Sequence, residues 1–476
     1  MIKIKKLAFI LIIFISSFCP AQKYGNIWYF GDKAGIDFNT CATIALTNGQ
    51  NIGPEGSATI CDTSGQLLFY TNSDTVWNKQ GYAMSNGALV SSNGTLSQVI
   101  IIPQPSLQNM FYIITTQIQG QSSLNLQYHV VNMNLNGGLG DVVSKNNLLI
   151  ASTITEQIAA TYHNNGTDIW FITHEYGNNK FLCYLVNSTG INSSPVISNV
   201  GPAIVPCNSG MNARGEIKFS PDGKKVAFNN NGIGNNPNSD YMCLFDFDNA
   251  TGIVSNPINL AYERGGYGLS FSPDNTKLYA ATWKALNFTS VDSNKVFQFD
   301  ISGNDSVTIS NTKTILYKVP LTSGSPFGSL KIGPNGKIYV SYSNSNYIGV
   351  INSPNQSGIS CNYTPNGFYL GGRTTRMGLN NYIEYKTYCG NVNVNEFIKL
   401  NTFDLFPNPT TGIINIKATD GCSSIAIYNS LGELIYENKK SLVTEQIDIS
   451  KQKPGIYFCK VKVQNGENIF KIIKMD

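Results

Sequence analysis

The chain has 476 residues, a net charge of +4 and only 13% charged residues, about half the share that is usual in globular proteins. Its 42% hydrophobic content excludes both a polytopic membrane protein and a mostly disordered chain. The abundance of Tyr, Phe and Gly favours short strands joined by polar turns. The length predicts at least two domains, or one large repeat fold.

Residues 1–21 have the pattern of a signal peptide. Lys3, Lys5 and Lys6 precede the apolar stretch Leu7–Phe18, and small residues at 19–21 offer a cleavage site before Gln22. As a helix, this stretch would rise about 18 Å, which is too short to cross a bilayer of about 30 Å. Cleavage would lower the net charge to +1. We therefore expect no integral membrane segment after signal removal, and no nucleic-acid partner.

The cysteines and histidines offer little support for metal or redox chemistry. Ten cysteines become nine if Cys19 leaves with the signal, so at least one thiol is free or pairs between chains. No C-x-x-C motif occurs, and the three histidines have no metal-ligand spacing. His174 and Glu175 are adjacent at the end of a strand-like run, where their side chains would point to opposite faces. We expect no cofactor and no metal.

Residues 22–386 read as a repeat protein. Six segments share a small or polar first residue, an apolar strand, a polar turn and a second apolar strand. Their turns are Ser64–Gly65, Gln108–Asn109, Asn165–Gly166, Asp222–Gly223, Asp274–Asn275 and Asn335–Gly336. Asn-Gly and Asp-Gly pairs supply the positive φ that tight hairpins need. The spacing of the turns fits four-stranded propeller blades.

These segments predict an all-β protein with a β-propeller. Strand-like residues at both ends, 26–39 and 378–385, predict one composite blade that closes the ring. Seven blades are favoured, and six or eight remain open. The runs 219–228, 271–280 and 332–340 resemble the hairpins of WD-repeat-like propellers. The runs 28–39, 65–78 and 370–383 resemble a group of secreted bacterial propellers for which the resemblance implies no activity.

The last part of the chain differs in composition. Residues 403–476 contain 17 charged residues in 74, and residues 22–402 contain roughly half that density. A linker is predicted at 387–402, followed by a small immunoglobulin-like β-sandwich at 403–476, because short alternating strands there are separated by Pro, Asn and Gly breakers.

This segment resembles the type A C-terminal sorting domain of type IX (Por) secretion substrates. The matching motifs occur in the family's order, at 406–412, 427–435, 447–450, 454–458 and 470–476. They contain the candidate motif residues Pro407, Asn408, Pro409, Gly412, Tyr428, Gly432, Pro454, Gly455, Tyr457, Lys471 and Lys474. The resemblance implies export through the periplasm, with a translocon and a sortase-like protease as partners. It implies a secreted or cell-surface protein, either released or linked to lipopolysaccharide.

Other candidate sites are weaker. Arg373 and Arg376 lie in a Gly-led loop that could bind an anion, although capping carbonyls or pairing with a neighbouring blade is the favoured alternative. The segment that begins at Asp246 looks like part of a calcium loop, but a strand and turn explain it better. Asp74-Thr75-Val76 and Asp305-Ser306-Val307 resemble O-glycan acceptor sites of bacteria that use this secretion route.

Two hypotheses for function remain. The first is a non-catalytic propeller that binds a protein, glycan or surface partner through loops on one face. The second is a propeller hydrolase or lyase with a metal site at the central channel. The first is favoured because the chain is poor in ionisable groups and contains no sialidase, G-x-S-x-G or Walker motif. Carboxylates or histidines that converge on the channel would favour the enzyme.

Overall fold

The computed structural model divides the chain into two compact units, Met1–Gly390 and Asn391–Asp476. The division falls inside the linker predicted at 387–402. The structure describes residues 23–40, 42–53, 55–89, 98–116, 125–206, 211–231, 241–260, 265–283, 293–321, 326–383, 403–422, 424–429, 432–440, 442–463 and 466–475. The predicted signal peptide and the predicted linker lie outside these residues.

The first unit is a β-propeller of seven blades. Blade 1 contains β1 (Ile27–Phe30), β2 (Ala34–Asp37) and β3 (Ile44–Leu46). Blade 2 contains β4 (Ala58–Cys61), β5 (Leu67–Thr71), β6 (Thr75–Asn78) and β7 (Ala83–Ala88). Blade 3 contains β8 (Val99–Pro103), β9 (Met110–Thr116), β10 (Leu126–Asn132) and β11 (Asp141–Ile150). A single parallel bridge between Asp141 and Ser85 joins the outer strands of blades 2 and 3.

The remaining blades follow the same antiparallel order. Blade 4 contains β12 (Ala159–Tyr162), β13 (Ile169–His174), β14 (Lys180–Asn187), β15 (Gly190–Ile191) and β16 (Val196–Asn199). Blade 5 contains β17 (Ile217–Phe219), β18 (Lys225–Asn229), β19 (Met242–Asp248) and β20 (Ile253–Leu260). Blade 6 contains β21 (Gly266–Phe271), β22 (Lys277–Thr282), β23 (Ser293–Asp300) and β24 (Thr314–Pro320), with the short helix α1 (Ser306–Asn311) before β24. Blade 7 contains β25 (Phe327–Ile332), β26 (Ile338–Tyr342), β27 (Tyr347–Ile351) and β28 (Tyr363–Tyr369). Short 3₁₀ turns cover Asn136–Gly138, Met211–Ala213 and Gly358–Cys361.

The six predicted hairpins are confirmed. Each joins the first two strands of blades 2 to 7. The second residue of each predicted turn has a positive φ, and these residues are Gly65, Asn109, Gly166, Gly223, Asn275 and Gly336. The turn chemistry read from the sequence therefore fixes the register of these strand pairs.

The hydrophobic core lies between the blades. One buried cluster joins strands of blades 3 and 4, another joins blades 4 and 5, and a third joins blades 5 and 6. Each cluster interleaves apolar side chains from the facing sheets of two neighbours. A single blade cannot bury both of its faces, so the blades depend on one another for stability.

Both ends of the propeller meet beside blade 1, but the described residues 378–383 form no strand there, and Asn380 instead bridges Ser57 at the start of blade 2. The backbone N–H of Asp32 donates to the carbonyl of Thr374 at 2.8 Å, next to β1. Further along, the Tyr382 ring packs against Trp28 with ring centroids 5.9 Å apart. The closing segment is irregular and runs from 374 to 383, and residues 384 and 385 of the predicted segment lie outside the described part of the chain.

The inner strands approach one another so closely that side chains are excluded at three successive positions. A Cβ on Gly268 would lie 2.2 Å from the carbonyl oxygen of Gly328, and a Cβ on Gly328 would lie 2.1 Å from that of Met377. A Cβ on Gly378 would lie 1.5 Å from the carbonyl oxygen of Glu55. This contact explains the glycine that opens the repeats of blades 6 and 7.

The second unit is a two-sheet sandwich. One sheet has the order β29 (Phe403–Phe406), β30 (Ile413–Cys422), β33 (Leu442–Asp448). The other has the order β32 (Leu434–Asn438), β31 (Ser424–Asn429), β34 (Gly455–Val463), β35 (Gly466–Lys474). Ile416, Ile427, Ile447 and Ile472 are among the buried residues between them. The predicted β-sandwich is thus confirmed.

Five cysteines of the described residues are buried: Cys61, Cys183, Cys243, Cys361 and Cys459. Burial raises the pKa of Cys61 and of Cys243 to about 12, so these thiols are inert core residues. None of the helices in the described ranges is long and apolar enough to span a membrane.

The ring closure can be tested with Gly378→Ala. The new Cβ would collide with the backbone of Glu55, and backbone atoms cannot move aside as a flexible side chain can. We expect the free energy of unfolding to fall by about 3 kcal/mol or more, measured by urea denaturation of the secreted protein.

Gly138→Ala is the matched control. Gly138 has a φ of +84° and no atom within 4 Å of the added Cβ, so only the backbone penalty of about 1–2 kcal/mol applies. Equal losses in the two variants would show that the closing contact is not specific to Gly378.

Candidate functional site

The axis of the propeller is lined by charged side chains from different blades. They are three carboxylates and three cations: Glu55, Glu156, Glu216, Arg214, Lys218 and Lys331. All are buried except Arg214, which is partly exposed. Buried charges are costly unless they are paired or neutralised, so these groups must bond to one another or hold protons.

Glu216 joins three blades. Its carboxylate accepts hydrogen bonds from the backbone N–H of Leu269 in blade 6 at 2.7 Å and from the Ser329 hydroxyl in blade 7 at 2.6 Å. It also pairs with Lys218 on its own strand at 3.2 Å. Since Glu216 is 3% exposed, these bonds act in a region of low dielectric and hold the inner strands together.

Glu55 and Glu156 form an interacting pair beside Arg214. Burial raises the pKa of Glu55 to about 7, against the charge of Arg214 and a hydrogen bond from Tyr267. Burial also raises the pKa of Glu156, and the charge of Glu55 raises it further. One oxygen of Glu55 has no hydrogen-bond partner among the described residues. The pair therefore holds a proton more readily than ordinary carboxylates do.

Between the described inner strands, the channel has almost no free space. Lys331 donates to the carbonyl of Tyr382 at 2.8 Å and lies over its ring, 4.3 Å from the centroid. The cavity between the inner strands measures about 20 Å³, which is room for about one water molecule. Among the described residues, no group of three or more His, Cys, Asp or Glu is placed to hold a metal ion.

Sequence analysis missed this cluster. Glu55, Glu156 and Glu216 belong to blades 2, 4 and 5 and are separated by 60 residues or more. The available signal was their position, because each lies at the start of a repeat segment, beside the small or polar residue that opens it. In a chain with so few charges, a carboxylate at that position marks the channel.

The two arginines of the predicted ligand loop are engaged in structural contacts. The guanidinium of Arg376 pairs with Asp32 at 2.6 Å and also contacts the Asn344 side chain. Arg373 donates to the carbonyl of Thr47 at 2.9 Å. These contacts are those of the structural alternative, in which the arginines cap carbonyls or pair with a neighbouring blade. Both residues connect the closing loop to neighbouring segments.

His174 and Glu175 have separate roles. The His174 ring is buried between Phe181 and Phe228, with centroids 4.7 and 5.0 Å away. Burial lowers the pKa of His174 to about 4. Glu175 instead pairs with Lys180 at 3.1 Å. The two residues form no acid–base pair with each other, as the strand position predicted.

The calcium-like segment is a strand followed by a turn. Asp246 lies on β19 and pairs with Lys225 at 3.0 Å. Asp248 ends the strand, and its carboxylate accepts from the backbone N–H of Ala250 and the hydroxyl of Thr251. The structural interpretation of this segment is confirmed.

The two possible O-glycan acceptors also have local structural roles. Asp305 caps α1 and accepts hydrogen bonds from the backbone N–H groups of Val307 and Thr308, as N-cap aspartates do. Thr75 begins β6, and Asn72 accepts a hydrogen bond from its backbone. Modification of either site stays a prediction.

Asn408 shows the structural role of the first sorting motif, residues 406–412. Its side chain donates to the carbonyl of Lys471 at 2.7 Å and accepts from the backbone N–H of Ile473 at 2.9 Å. The backbone of Thr410 pairs with the same strand, β35. Pro407 and Pro409 flank Asn408 in cis peptide bonds. The motif therefore joins the start of the sandwich to its last strand.

The other motif residues form turns and close contacts. The Tyr457 hydroxyl donates to the carbonyl of Lys453 at 2.7 Å and closes the turn that contains Pro454 and Gly455. Gly432 has a φ of +82° and donates to the carbonyl of Asn429. Gly412 packs against Ser450, where a Cβ would lie 2.7 Å from the backbone. Half-buried Tyr428 pairs with Phe458 across the sheet.

The basic end of the domain is not one continuous exposed surface. Lys471 is exposed, but Lys474 is 6% exposed and its ammonium donates to the carbonyl of Met475 at 3.1 Å. The alternation of β35 places Lys474 on the same face as buried Ile472. Exposed apolar residues flank Lys471 instead, among them Ile456, Phe458 and Ile473.

Residues 404–475 match the family model described as the secretion system C-terminal sorting domain. The chain carries a type IX sorting domain. It is therefore an exported protein, found outside the cell or on its outer surface, and this domain interacts with the secretion system. A comparison with curated protein sequences gave no match.

Solved propeller structures resemble the chain only distantly. PorZ, a surface component of the type IX system of Porphyromonas gingivalis, is 10% identical with a TM-score of 0.30, over 95% of this chain and 74% of PorZ. The periplasmic gluconolactonase PpgL of Pseudomonas aeruginosa is 12% identical with a TM-score of 0.37, over 89% of this chain and 98% of PpgL. Hydrazine synthase of Kuenenia stuttgartiensis is 10% identical with a TM-score of 0.38, over 80% and 94%. Similarities this weak carry no functional argument.

The buried carboxylates predict an unusual pH dependence of stability. Because the pKa of Glu55 rises from 4.5 to about 7 on folding, the folded state binds more protons than the unfolded state between these values. Stability should therefore fall as the pH rises from about 4.5 to 7. We expect Glu55→Gln to unfold with a free energy about 3 kcal/mol higher than the parent at pH 8, with no difference at pH 4.5.

Glu175→Gln serves as the control in the same urea titrations. Although burial raises it, hydrogen bonds from Asn178 and Lys180 hold the pKa of Glu175 below its usual range. Glu175 is thus ionised in both states above pH 5, and its variant should follow the parent's slope between pH 5 and 8. A Glu55→Gln slope equal to the parent's would contradict the assignment.

Proposed function

We propose that this protein is a non-catalytic binding propeller, which the type IX system delivers to the cell surface or the medium. The main support is the filled channel. Its charged groups are bonded between blades, and the remaining cavity of about 20 Å³ is too small for a substrate. Acid–base chemistry needs a group within hydrogen-bond reach of its substrate.

The alternative is a hydrolase or lyase that uses the channel. It is favoured by one observation, the three buried carboxylates, two of which have raised pKa values; such groups often mark active sites. This enzyme would require the inner strands to separate. The close backbone contacts at Gly328 and Gly378 oppose that motion.

One preparation of the secreted protein can separate the two functions. We expect no turnover of lactones, aryl glycosides or polyuronates, with or without added Ca²⁺, and we expect retention on isolated outer-membrane material from the host. Glu156→Gln should bind this material like the parent. If the parent converts a substrate and Glu156→Gln does not, the enzyme hypothesis replaces the binding hypothesis.

For export, we propose that the translocon and the sortase-like protease recognise the folded sandwich. Asn408 joins two ends of that sandwich, because its side chain bonds to β35. Residues that are far apart in sequence, including Phe406 and Ile473, are exposed on the domain. Recognition would then depend on the fold and not on a linear tag alone.

Asn408→Ala tests this dependence. The variant loses two hydrogen bonds, which together stabilise the domain by about 1–3 kcal/mol. We expect a larger periplasmic fraction and less protein in the medium and on the surface, measured by immunoblot of cell fractions.

Asn415→Ala is the matched control, because its half-buried side chain accepts a bond from Gln446 and donates to the carbonyl of Phe406 within the first sheet, and it does not reach β35. Deletion of residues 403–476 should leave the protein in the periplasm, and it sets the upper limit for the periplasmic fraction. Normal export of Asn408→Ala, or export of the deletion variant, would contradict the proposal.

A further inference from the structure

A neutral groove lies on the face of the propeller that carries the hairpin turns, between blades 3 and 4. It is formed by Tyr24, residues 103–109, Phe111, Tyr162, Gly166, Thr167 and Ile169, and it encloses about 330 Å³. That volume is at the lower end of the usual range for ligand pockets. The groove is separate from the charged channel and from Arg373 and Arg376.

The two turns that border this groove are the longest of the six. Residues 104–109 separate β8 from β9, and residues 163–168 separate β12 from β13, which is six residues each. The corresponding turns of blades 2, 5, 6 and 7 contain five residues, as in 62–66. The additional residue in each turn builds the walls of the groove.

The turn in blade 3 also contains an uncommon backbone conformation. Ser106 has a φ of +65° and Asn109 a φ of +72°. Asparagine tolerates this region, but serine seldom adopts it. Hydrogen bonds between Gln104 and Met110 and between Leu107 and Gln104 hold the turn in this shape. Such conformations cost free energy and concentrate at binding sites.

The lining has two kinds of group and no charge. Half-buried Tyr24 and Tyr162, with buried Phe111, supply aromatic surface. Exposed Gln108 and Thr167 supply an amide and a hydroxyl. None of the described residues that line the groove is ionisable at neutral pH, so a charged ligand would be desolvated without a counter-charge.

The groove does not favour a peptide that binds as an added strand. It lies at the hairpin turns, where Pro103 pairs with Phe111 and Tyr162 pairs with Ile169 at the ends of their strands, and it does not run along an unpaired strand edge. Strand addition needs an unpaired edge. Recognition must therefore come from side chains, by ring contact and by amide and hydroxyl hydrogen bonds.

We propose that this groove binds a neutral oligosaccharide segment. The apolar C–H face of a sugar ring matches tyrosine surface, and its hydroxyls match amide and hydroxyl groups at the rim. This inference rests on the proposed binding function and names its ligand class. The charged channel then serves stability, and the turn face serves recognition.

The test uses the purified secreted protein and saturation-transfer NMR. The neutral probes are maltotriose, cellotriose, chitotriose and mannotriose, and trigalacturonate is the acidic probe. We expect at least one neutral probe to bind and trigalacturonate not to bind. Tyr162→Ala, and separately Gln108→Ala, should weaken binding of that neutral probe at least tenfold.

Gln66→Ala is the matched control, because Gln66 is also an exposed glutamine in an inner hairpin turn, in blade 2, outside the groove. It should bind like the parent. Gln108 is exposed, so its variant separates lost binding from lost folding if Tyr162→Ala unfolds. Absence of neutral binding, equal binding of trigalacturonate, or unchanged affinity in Gln108→Ala would overturn the inference.

The outer-membrane retention assay distinguishes this failure from failure of the proposed function. If Gln108→Ala is still retained on outer-membrane material and no neutral probe binds the parent, the binding function stands and the oligosaccharide is not its ligand. Loss of retention by the parent itself would remove both.

Discussion

The structure depends on how closely the inner strands approach one another around the propeller axis. Gly268, Gly328 and Gly378 stand in sequence around that axis, and each leaves space for the backbone of the next segment. Backbone contact at this distance is possible only without a Cβ. The interblade clusters of apolar residues can close only when these contacts form, so local glycine positions determine a global ring.

The same proximity explains the chemistry of the channel. Inner strands that nearly touch leave room for about one water molecule beside Glu55 and Glu216. The charges of Glu55, Glu156 and Glu216 must therefore be balanced by neighbouring cations or reduced by bound protons. Glu216 is satisfied by donors from blades 6 and 7, whereas Glu55 keeps an oxygen without a hydrogen-bond partner in the described part of the chain. Carboxylates placed this way resemble an active site by composition, but their hydrogen bonds hold neighbouring blades together.

The sequence allowed prediction of what is local and repeated. Asn-Gly and Asp-Gly turns encode a positive φ within two residues, so the hairpins at Asn165–Gly166 and Asp222–Gly223 were predictable. The order of the sorting motifs identified the second unit in the same way. The channel was not predictable, because Glu216 meets Ser329 across 113 residues, and no short spacing encodes such a contact. The burial of Lys474 was hard to predict for a related reason, since it follows from strand alternation and not from the charge of the residue.

Stability and recognition occupy different parts of this propeller, and the physical demands on them explain why. An inner strand must keep its glycines and balanced charges, because each change there affects two neighbouring blades. A hairpin turn touches few other elements, so it can gain a residue, as the turns of blades 3 and 4 have done, without disturbing the ring. The placement of charge follows the same division: Glu216, Lys218 and Lys331 hold inner strands together, and the lining of the groove at Tyr162 is neutral. A ligand bound in the groove would be selected by shape and hydrogen bonding, and not by charge.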